Sequence, residues 1–343
     1  MKTCAKCGAE KNDNAVFKYT DIYGVEKYCC RFHGTYRFCQ CEDCDSYFEV
    51  WNNGDRPNST KCPSCLSEDR LEYGEHGLHE YGYKPSPIPF GININEPNNS
   101  LLMGVELEMD DGEDVIGFRE FLTEDKELNP NNSAYCFFYA KYDGSLSEHG
   151  NEVVCHPATL NFHKSTNYWK LMLRKAISSG FQSNNCSNCG IHIHVNKDYF
   201  TTQEIHKLDA LVNLYSKIFR RFARRRTHYA NYDIHKSQES LGRNNNDDRY
   251  SCLNFENEHT IEWRIFKGNL KYESIMALLE LIQGVSDFIK QEEITIDMLY
   301  NHKDLIPIKL KTFLESKNFD FLPRYTEMCR VWRDINENTE NQQ

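Results

Sequence analysis

Three short segments, GVELEM at 104–109, CGIHIHV at 189–195 and TIEWRI at 260–265, alternate ionisable and apolar residues with a period of two. Residues two apart in a strand share a face. Glu106, Glu108 and Asp110 therefore line up, as do His192, His194 and Asn196, and likewise Glu262, Arg264 and Phe266. Val105, Leu107, Ile191, Ile193, Val195, Ile261, Trp263 and Ile265 point the other way. A strand with one solvated face explains any single segment, but solvated strands favour Lys and Thr as readily as Glu and His, and TIEWRI is mostly apolar. Three such strands in one sheet make one face core and the other chemical.

Two carboxylates about 5 Å apart repel by roughly 3 kcal/mol at an effective dielectric near 20, so several on one surface need a compensating cation. Carboxylate oxygens with few nitrogens suit Mg²⁺ or Mn²⁺, whereas structural zinc takes thiolates and imidazoles. The expected guest is a hard divalent ion bound to phosphate.

The 343 residues, 39% hydrophobic and 13% aromatic, suffice for a substantial core. No apolar run approaches the roughly 20 residues of a membrane span, and MKTCAKCG lacks the apolar stretch of a secretory signal. Nine of the fifteen cysteines precede residue 66 in CxxC-like pairs, which is metal spacing and implies reduced thiols, so the chain is expected in the cytoplasm. Cys41 and Cys44 with Cys62 and Cys65 have the spacing of a four-cysteine zinc ribbon. Cys4 and Cys7 open a second site, completed from Cys29, Cys30, His33 or Cys39, with Cys30 and His33 favoured by their spacing. Such zinc is structural: four protein ligands leave no open position, and binding contributes on the order of 10 kcal/mol to a small fold. The net charge of −11 disfavours nucleic acid and anionic membrane as partners.

The chain divides into a cysteine-rich zinc-ribbon-like domain at 1–73, an extended connector at 74–100 rich in Gly, Pro, Asn and Tyr, a larger domain at 101–335 and a disordered tail at 336–343. Within the large domain the pattern predicts helices near 113–124, 163–179, 201–225 and 272–290, the third opened by Thr201 or Thr202 with Glu204 nearby, and further strands around 135–141 and at NEVVCHP. Strands and helices interleave without regular βαβ spacing. The expected fold is α+β, a mostly antiparallel cupped sheet with helices on one face. Arg220, Arg221, Arg224, Arg225 and Arg226 read as the solvated side of the long helix, with phosphate or acidic-substrate binding by Arg226 as the alternative, Asp143 in DGS as a turn aspartate or a group orienting an amine, and Cys186-x-x-Cys189 as local structure rather than a zinc or redox pair.

The ordered segments YGYKPSPIPFG, GVELEM, YDGSLSEHGNEVVCHP, CGIHIHVNKDYF and YSCLNFENEHTIEWRIFKGNL, spanning about 81–272, resemble the amidoligase family of the carboxylate-amine ligase superfamily, which has the catalytic fold of glutamine synthetase and glutamate-cysteine ligase. That resemblance implies ATP and two or three Mg²⁺ or Mn²⁺ ions on a cupped sheet, one held by Glu106, His192 and Glu262 and another by Glu108 and Glu152. Carried over by position, Glu106, Glu108 and Glu152 are metal carboxylates, His192 stands near metal and phosphates, Glu262 is the final metal carboxylate and Arg264 steadies the transferring phosphoryl group. His194 shares the ligand face; Lys267 and the loop residue Arg249, with Arg243 beside it, are further phosphate candidates. The implied activity is ATP-dependent formation of an amide or peptide-like bond through an acyl phosphate, from a carboxylate and an amine carried by a free amino acid, a peptide or a protein. The alternatives are a metal-dependent hydrolase built on the HxH and carboxylate cluster, and a zinc-ribbon protein-binding module beside an inactive ligase domain. Oligomeric state is left open by the sequence.

Overall fold

The computed structural model describes residues 2–4, 10–12, 15–20, 26–30, 38–40 and 47–49, then 77–91 except 84 and 86, 100–128, 136–225, 231–232 and 251–329. In the amino-terminal segment, β1 (Lys2–Thr3) pairs antiparallel with β2 (Glu10–Lys11). Strands β3 (Val16–Thr20), β4 (Glu26–Cys30), β5 (Phe38–Gln40) and β6 (Tyr47–Glu49) form a four-stranded sheet in the order β4-β3-β6-β5, with β3 and β6 parallel. Cys4, Val16, Tyr19 and Cys29 cluster as a small buried core. Of the expected zinc ligands, Cys7, His33, Cys41, Cys44, Cys62 and Cys65 lie outside the described residues, as does the side chain of Cys30.

The rest of the described chain is organised by one seven-stranded sheet. Its strands are β7 (Leu78–His79), β8 (Met103–Met109), β9 (Phe138–Lys141), β10 (Asn151–Cys155), β11 (Gly190–Asn196), β12 (Leu253–Asn254) and β13 (Thr260–Lys267), in the order β12-β13-β11-β8-β10-β9-β7. All neighbours are antiparallel except β7 and β9. Residues read from sequence as connector thus supply the edge strand β7, and Phe90 also bridges to Ala158.

Val105, Leu107, Met109, Ile191, Ile193, Val195, Ile261, Trp263 and Ile265 are essentially inaccessible to solvent. They pack under helices α1 (Val115–Glu124), α2 (Leu160–Ser165), α3 (Tyr168–Ser178), α4 (Thr202–Leu214), α5 (Ser216–Ala223) and α6 (Tyr272–Ile289) through Phe118, Trp169, Leu208, Phe219, Ile275 and Leu279. Burying each large apolar side chain contributes roughly 1.5–3 kcal/mol, so this layer decides which way each strand faces. Helices α7 (Ile296–Asn301), α8 (Leu305–Ser316) and α9 (Leu322–Cys329) complete the described fold. No helix among the described residues is long and apolar enough to cross a membrane.

Two expected helices are each divided. The 163–179 pattern becomes α2 and α3, because Thr166 turns extended and its hydroxyl donates to the Phe162 carbonyl. The 201–225 pattern opens with the Thr201 and Glu204 capping box, breaks at Tyr215, whose hydroxyl reaches the Leu299 carbonyl at 2.8 Å, and ends at Arg224 in the left-handed region at φ 54°.

Candidate active site

Register sets out the polar face in rows. Glu152 on β10 pairs with Lys141 on β9 and Glu108 on β8. Glu106 pairs with His192 on β11, and Glu262 on β13 pairs with His194 on one side and Asn254 on β12 on the other. Cross-strand partners project from the same face, so side chains distant in sequence are forced together by strand pairing. Helices hold the opposite face, which leaves this surface free to be polar.

His192 is the hub. Its Nδ1 lies 3.4 Å from Glu106 Oε2 and 3.5 Å from Glu262 Oε1, and its Nε2 lies 3.9 Å from Glu108 Oε1. Two ligand sets therefore converge, each with its donor atoms within 4.8 Å of one another: Glu106, His192 and Glu262, and Glu108, Glu152 and His192. Glu262 also accepts from Arg264 Nη1 on one oxygen and from Asn254 Nδ2 at 2.9 Å on the other. Glu108 Oε2 accepts from the Gly190 amide, and Glu152 Oε2 pairs with Lys141 Nζ at 3.2 Å.

The charges shift one another strongly. Burial alone would raise the Glu106 carboxyl, but His194 and His192 hold it well below the usual carboxylate range. Burial would likewise depress His194, yet the Glu106 charge outweighs it and lifts the imidazole to about 9. Glu152 is pushed up to about 8, first by burial and then by the charge of Glu106, against the pull of Lys141.

The donor set fits a hard divalent cation: carboxylate oxygens with an imidazole nitrogen, gathered within one ion's reach. His194 Nε2 sits 3.3 Å from Glu106 Oε1 as its ion-pair partner, and the buried Arg264 Nε has no hydrogen-bond partner. A buried polar atom left unpaired costs about 1–3 kcal/mol, which a bound anion at Arg264 would recover.

Several expected placements change. A β-bulge between Ile191 and Ile193 inserts one extra residue in β13, so Ile193 faces Trp263 while Ile191 faces Phe266. Phe266 therefore leaves the polar face and joins the core, stacked on Trp263 at 6.2 Å. Asp110 does not join the carboxylates. It accepts from the Ser147 amide at 3.0 Å and from the Ser147 hydroxyl, holding the 143–150 turn. Asn196 Oδ1 accepts from the Leu102 amide at 2.8 Å. Asp143 accepts from the Ser145 amide at 2.7 Å, the turn role. Lys267 ends β13 opposite Gly190, while Arg226, Arg243 and Arg249 lie outside the described residues.

Three site residues went unseen in the sequence. Lys141 closes β9, and its apposition to Glu152 needs the register of two strands. Asn254, eight residues before Glu262, carried a faint signal as the hairpin partner of TIEWRI. Arg225 belonged to a basic run read as solvated. Instead it enters the site: Nη1 donates to His192 Nε2 at 3.2 Å and to the Arg264 carbonyl at 3.0 Å, and Nη2 lies 3.9 Å from Glu108 Oε2. Because a guanidinium only donates, His192 Nε2 is the acceptor of this bond.

No protein-family model matches the chain, and no curated protein matches it. Among solved structures it is similar to one described as "Apo GmaS without ligand", over 94% of this chain and 94% of that one, at 11% identity and a TM-score of 0.32.

Proposed function

We propose that the chain is an ATP-dependent carboxylate-amine ligase whose chemistry lies on the polar face of the seven-stranded sheet, within the unit at 101–335. The observation that carries this reading is the convergence of Glu106, Glu262 and His192 within one ion's reach, flanked by the Arg264 guanidinium. A carboxylate does not react with an amine in water, because its oxygen is a poor leaving group and its charge repels nucleophiles. Attack of the carboxylate oxygen on the γ-phosphorus of ATP releases ADP and gives an acyl phosphate. The amine then attacks the acyl carbon, phosphate leaves, and the nitrogen loses a proton.

Both steps concentrate negative charge on phosphoryl oxygens, which is the charge this face is built to balance. Bound at Glu106 and Glu262, Mg²⁺ or Mn²⁺ would neutralise that charge and align the phosphates. Arg264, whose Nε is buried and unpaired, is the side chain suited to follow the transferring phosphoryl group, with Lys267 at the end of the same strand. Asn254 orients Glu262, and Thr260 holds His194 Nδ1 at 3.2 Å. Residues 1–73, with Cys4, Cys7, Cys30, His33, Cys41, Cys44, Cys62 and Cys65, are proposed as a separate zinc-organised unit that presents a protein substrate or partner.

The test is ADP release from Mg²⁺-ATP across panels of amino acids, peptides and amines. Ligase chemistry requires a carboxylate and an amine together, and the Arg264→Ala variant should lose the release. ADP release that needs neither, or metal-dependent hydrolysis without nucleotide, would contradict the reading.

A further inference from the structure

We propose that Arg225 is a positioning residue that sets the aim of Arg264 by clamping the bulge in β13. This rests on the ligase reading above and names the residue through which its phosphate contact is held. Between Ile191 and Ile193 a single residue of β11, His192, stands opposite two of β13, Arg264 and Ile265. An extra residue disrupts the ladder locally, bends the strand and re-aims the side chains beside it. Here the bulge lets Arg264 pair with Glu262 on the polar face while Phe266 turns into the core.

Arg225 Nη1 lies at that point. It donates to the Arg264 carbonyl at 3.0 Å and to His192 Nε2 at 3.2 Å, so one nitrogen holds a bulged residue and the residue opposite it. The Arg264 amide donates to the Cys252 carbonyl at 3.1 Å, which fixes that residue at both main-chain groups. Arg225 is anchored in turn: Nη2 reaches the Asn188 carbonyl at 3.5 Å, and Asn188 Nδ2 donates to the Ser145 carbonyl at 3.1 Å. The backbone brackets the bulge as well. Arg224 takes the left-handed conformation at φ 54°, which an L-residue adopts only when its surroundings demand it, and bridges to Phe266. The end of α5 thus grips β13 by main chain at Phe266 and by side chain at Arg264. Gly190 leaves room for this, since a Cβ there would lie 2.4 Å from Arg225 Nη1.

The two guanidinium groups differ in what they have left to offer. Both Nη atoms of Arg225 are committed to protein acceptors. Arg264 is committed at Nη1 to Glu262 but keeps a buried Nε without a hydrogen-bond partner. Arg264 is therefore the group with a donor for a phosphoryl oxygen, and Arg225 is the group that keeps it from moving with the strand. A guanidinium recognises phosphate through a planar fork that must meet the oxygens in register, so a change in the local twist of β13 misdirects the contact.

The probes are Mn²⁺-ATP and Mn²⁺-ADP, titrated into the full-length chain by calorimetry, because a contact to the γ-phosphate favours ATP alone. Wild type should prefer ATP by about tenfold to a hundredfold, the worth of a charge-assisted contact, and Arg264→Ala should lose that preference. Arg225→Ala should lose it too while its Mn²⁺-ADP affinity stays within about threefold of wild type, since Glu106 and Glu262 still hold the ion. The Arg225→Ala, Arg264→Ala double variant should lose no more than either single one, as expected when one side chain acts through the other. Gly190→Ala, whose Cβ displaces the guanidinium without deleting it, should repeat the loss even if Arg225→Ala folds poorly. An ATP preference kept in both Arg225→Ala and Gly190→Ala, an equal weakening of ATP and ADP, additive losses in the double variant, or no preference in wild type would overturn the inference and leave the ligase reading standing. Wild type that binds neither nucleotide would defeat the ligase reading and this inference together.

Discussion

His194 Nε2 lies 3.3 Å from Glu106 Oε1, with the other ring nitrogen held by the Thr260 hydroxyl at 3.2 Å. Before any ion arrives the pair is charged, His194 being lifted to about 9 by Glu106 while Glu152 nearby sits at about 8. A cation entering at Glu106 repels the His194 proton and the proton on Glu152, so binding releases protons and tightens as pH rises. Mn²⁺ affinity should climb between pH 7 and pH 9, by up to about tenfold per pH unit for each proton released. His194→Asn should flatten the upper part of that rise. Affinity that is independent of pH in calorimetric titrations would show that these groups do not discharge when the ion binds.

His163 gives a separate acid response, in stability. Its Nε2 donates to the Met103 carbonyl at 2.9 Å and its Nδ1 accepts from the Trp169 indole at 2.9 Å, so the buried ring is neutral, and burial pushes it down to about 4. The unfolded chain takes up this proton near pH 6.5 and the folded chain only near pH 4. Stability from this group is complete above pH 6.5 and is lost as pH falls toward 4, by about 3 kcal/mol at most. Urea unfolding at pH 7 and pH 5 should show a loss in wild type that His163→Gln, though weaker at pH 7, does not share. Equal pH slopes would assign acid sensitivity elsewhere.

Glu280 on α6 is fully buried and accepts from the amides of Asp320, Phe321 and Leu322 at 3.0, 2.9 and 2.8 Å, while Lys164 Nζ pairs with it at 2.8 Å. It thereby fixes the start of α9 to the central helix. Glu280→Ala leaves three amides without their acceptor and Lys164 with only Asp320 Oδ2, at 2.6 Å, as partner, and breaking such a buried pair costs about 3–5 kcal/mol. Denaturant titration should show that loss, with Glu280→Gln costing less because its carbonyl oxygen still accepts. A loss below about 1 kcal/mol would mean that α9 docks by apolar contact alone.

Phe266 distinguishes the bulged register from an unbroken strand. Because it is buried beside Trp263, Phe266→Ala should cost about 3–5 kcal/mol in unfolding free energy, and the milder Phe266→Leu should leave Mn²⁺ affinity unchanged. If Phe266→Leu weakened metal binding at unchanged stability, the side chain would belong to the polar face.

The alternation in β8, β11 and β13 was legible because burial of one face fixes which residues face the other, and Glu106, His192 and Glu262 meet where that logic puts them. Phe266 was misplaced because a bulge adds a residue without altering local hydrophobicity, and only pairing with Ile191 reveals it. The helix breaks at Thr166 and Tyr215 were invisible for a related reason: neither carries Pro or Gly, and each turn is stabilised by a side-chain hydroxyl donating to a backbone carbonyl. Arg225 was beyond reach of pattern, since its entry depends on a non-glycine residue, Arg224, in the left-handed region. Asp110 followed the period of two but was drawn to Ser147, because a strand end can turn its carboxylate to the next loop.

The most direct measurement is the thermal stability of the full-length protein with and without Mg²⁺ and ATP, beside Glu262→Ala and Arg264→Ala. Ligand at about 100 times its dissociation constant should stabilise the native state by roughly 2.7 kcal/mol. The account expects a shift that requires both Mg²⁺ and nucleotide and that both variants lose, because Glu262 and Arg264 are paired on the polar face of one strand, where the proposal puts the phosphates. No shift in the intact protein, or a shift that both variants retain, would contradict nucleotide binding on this face and with it the proposed ligase activity.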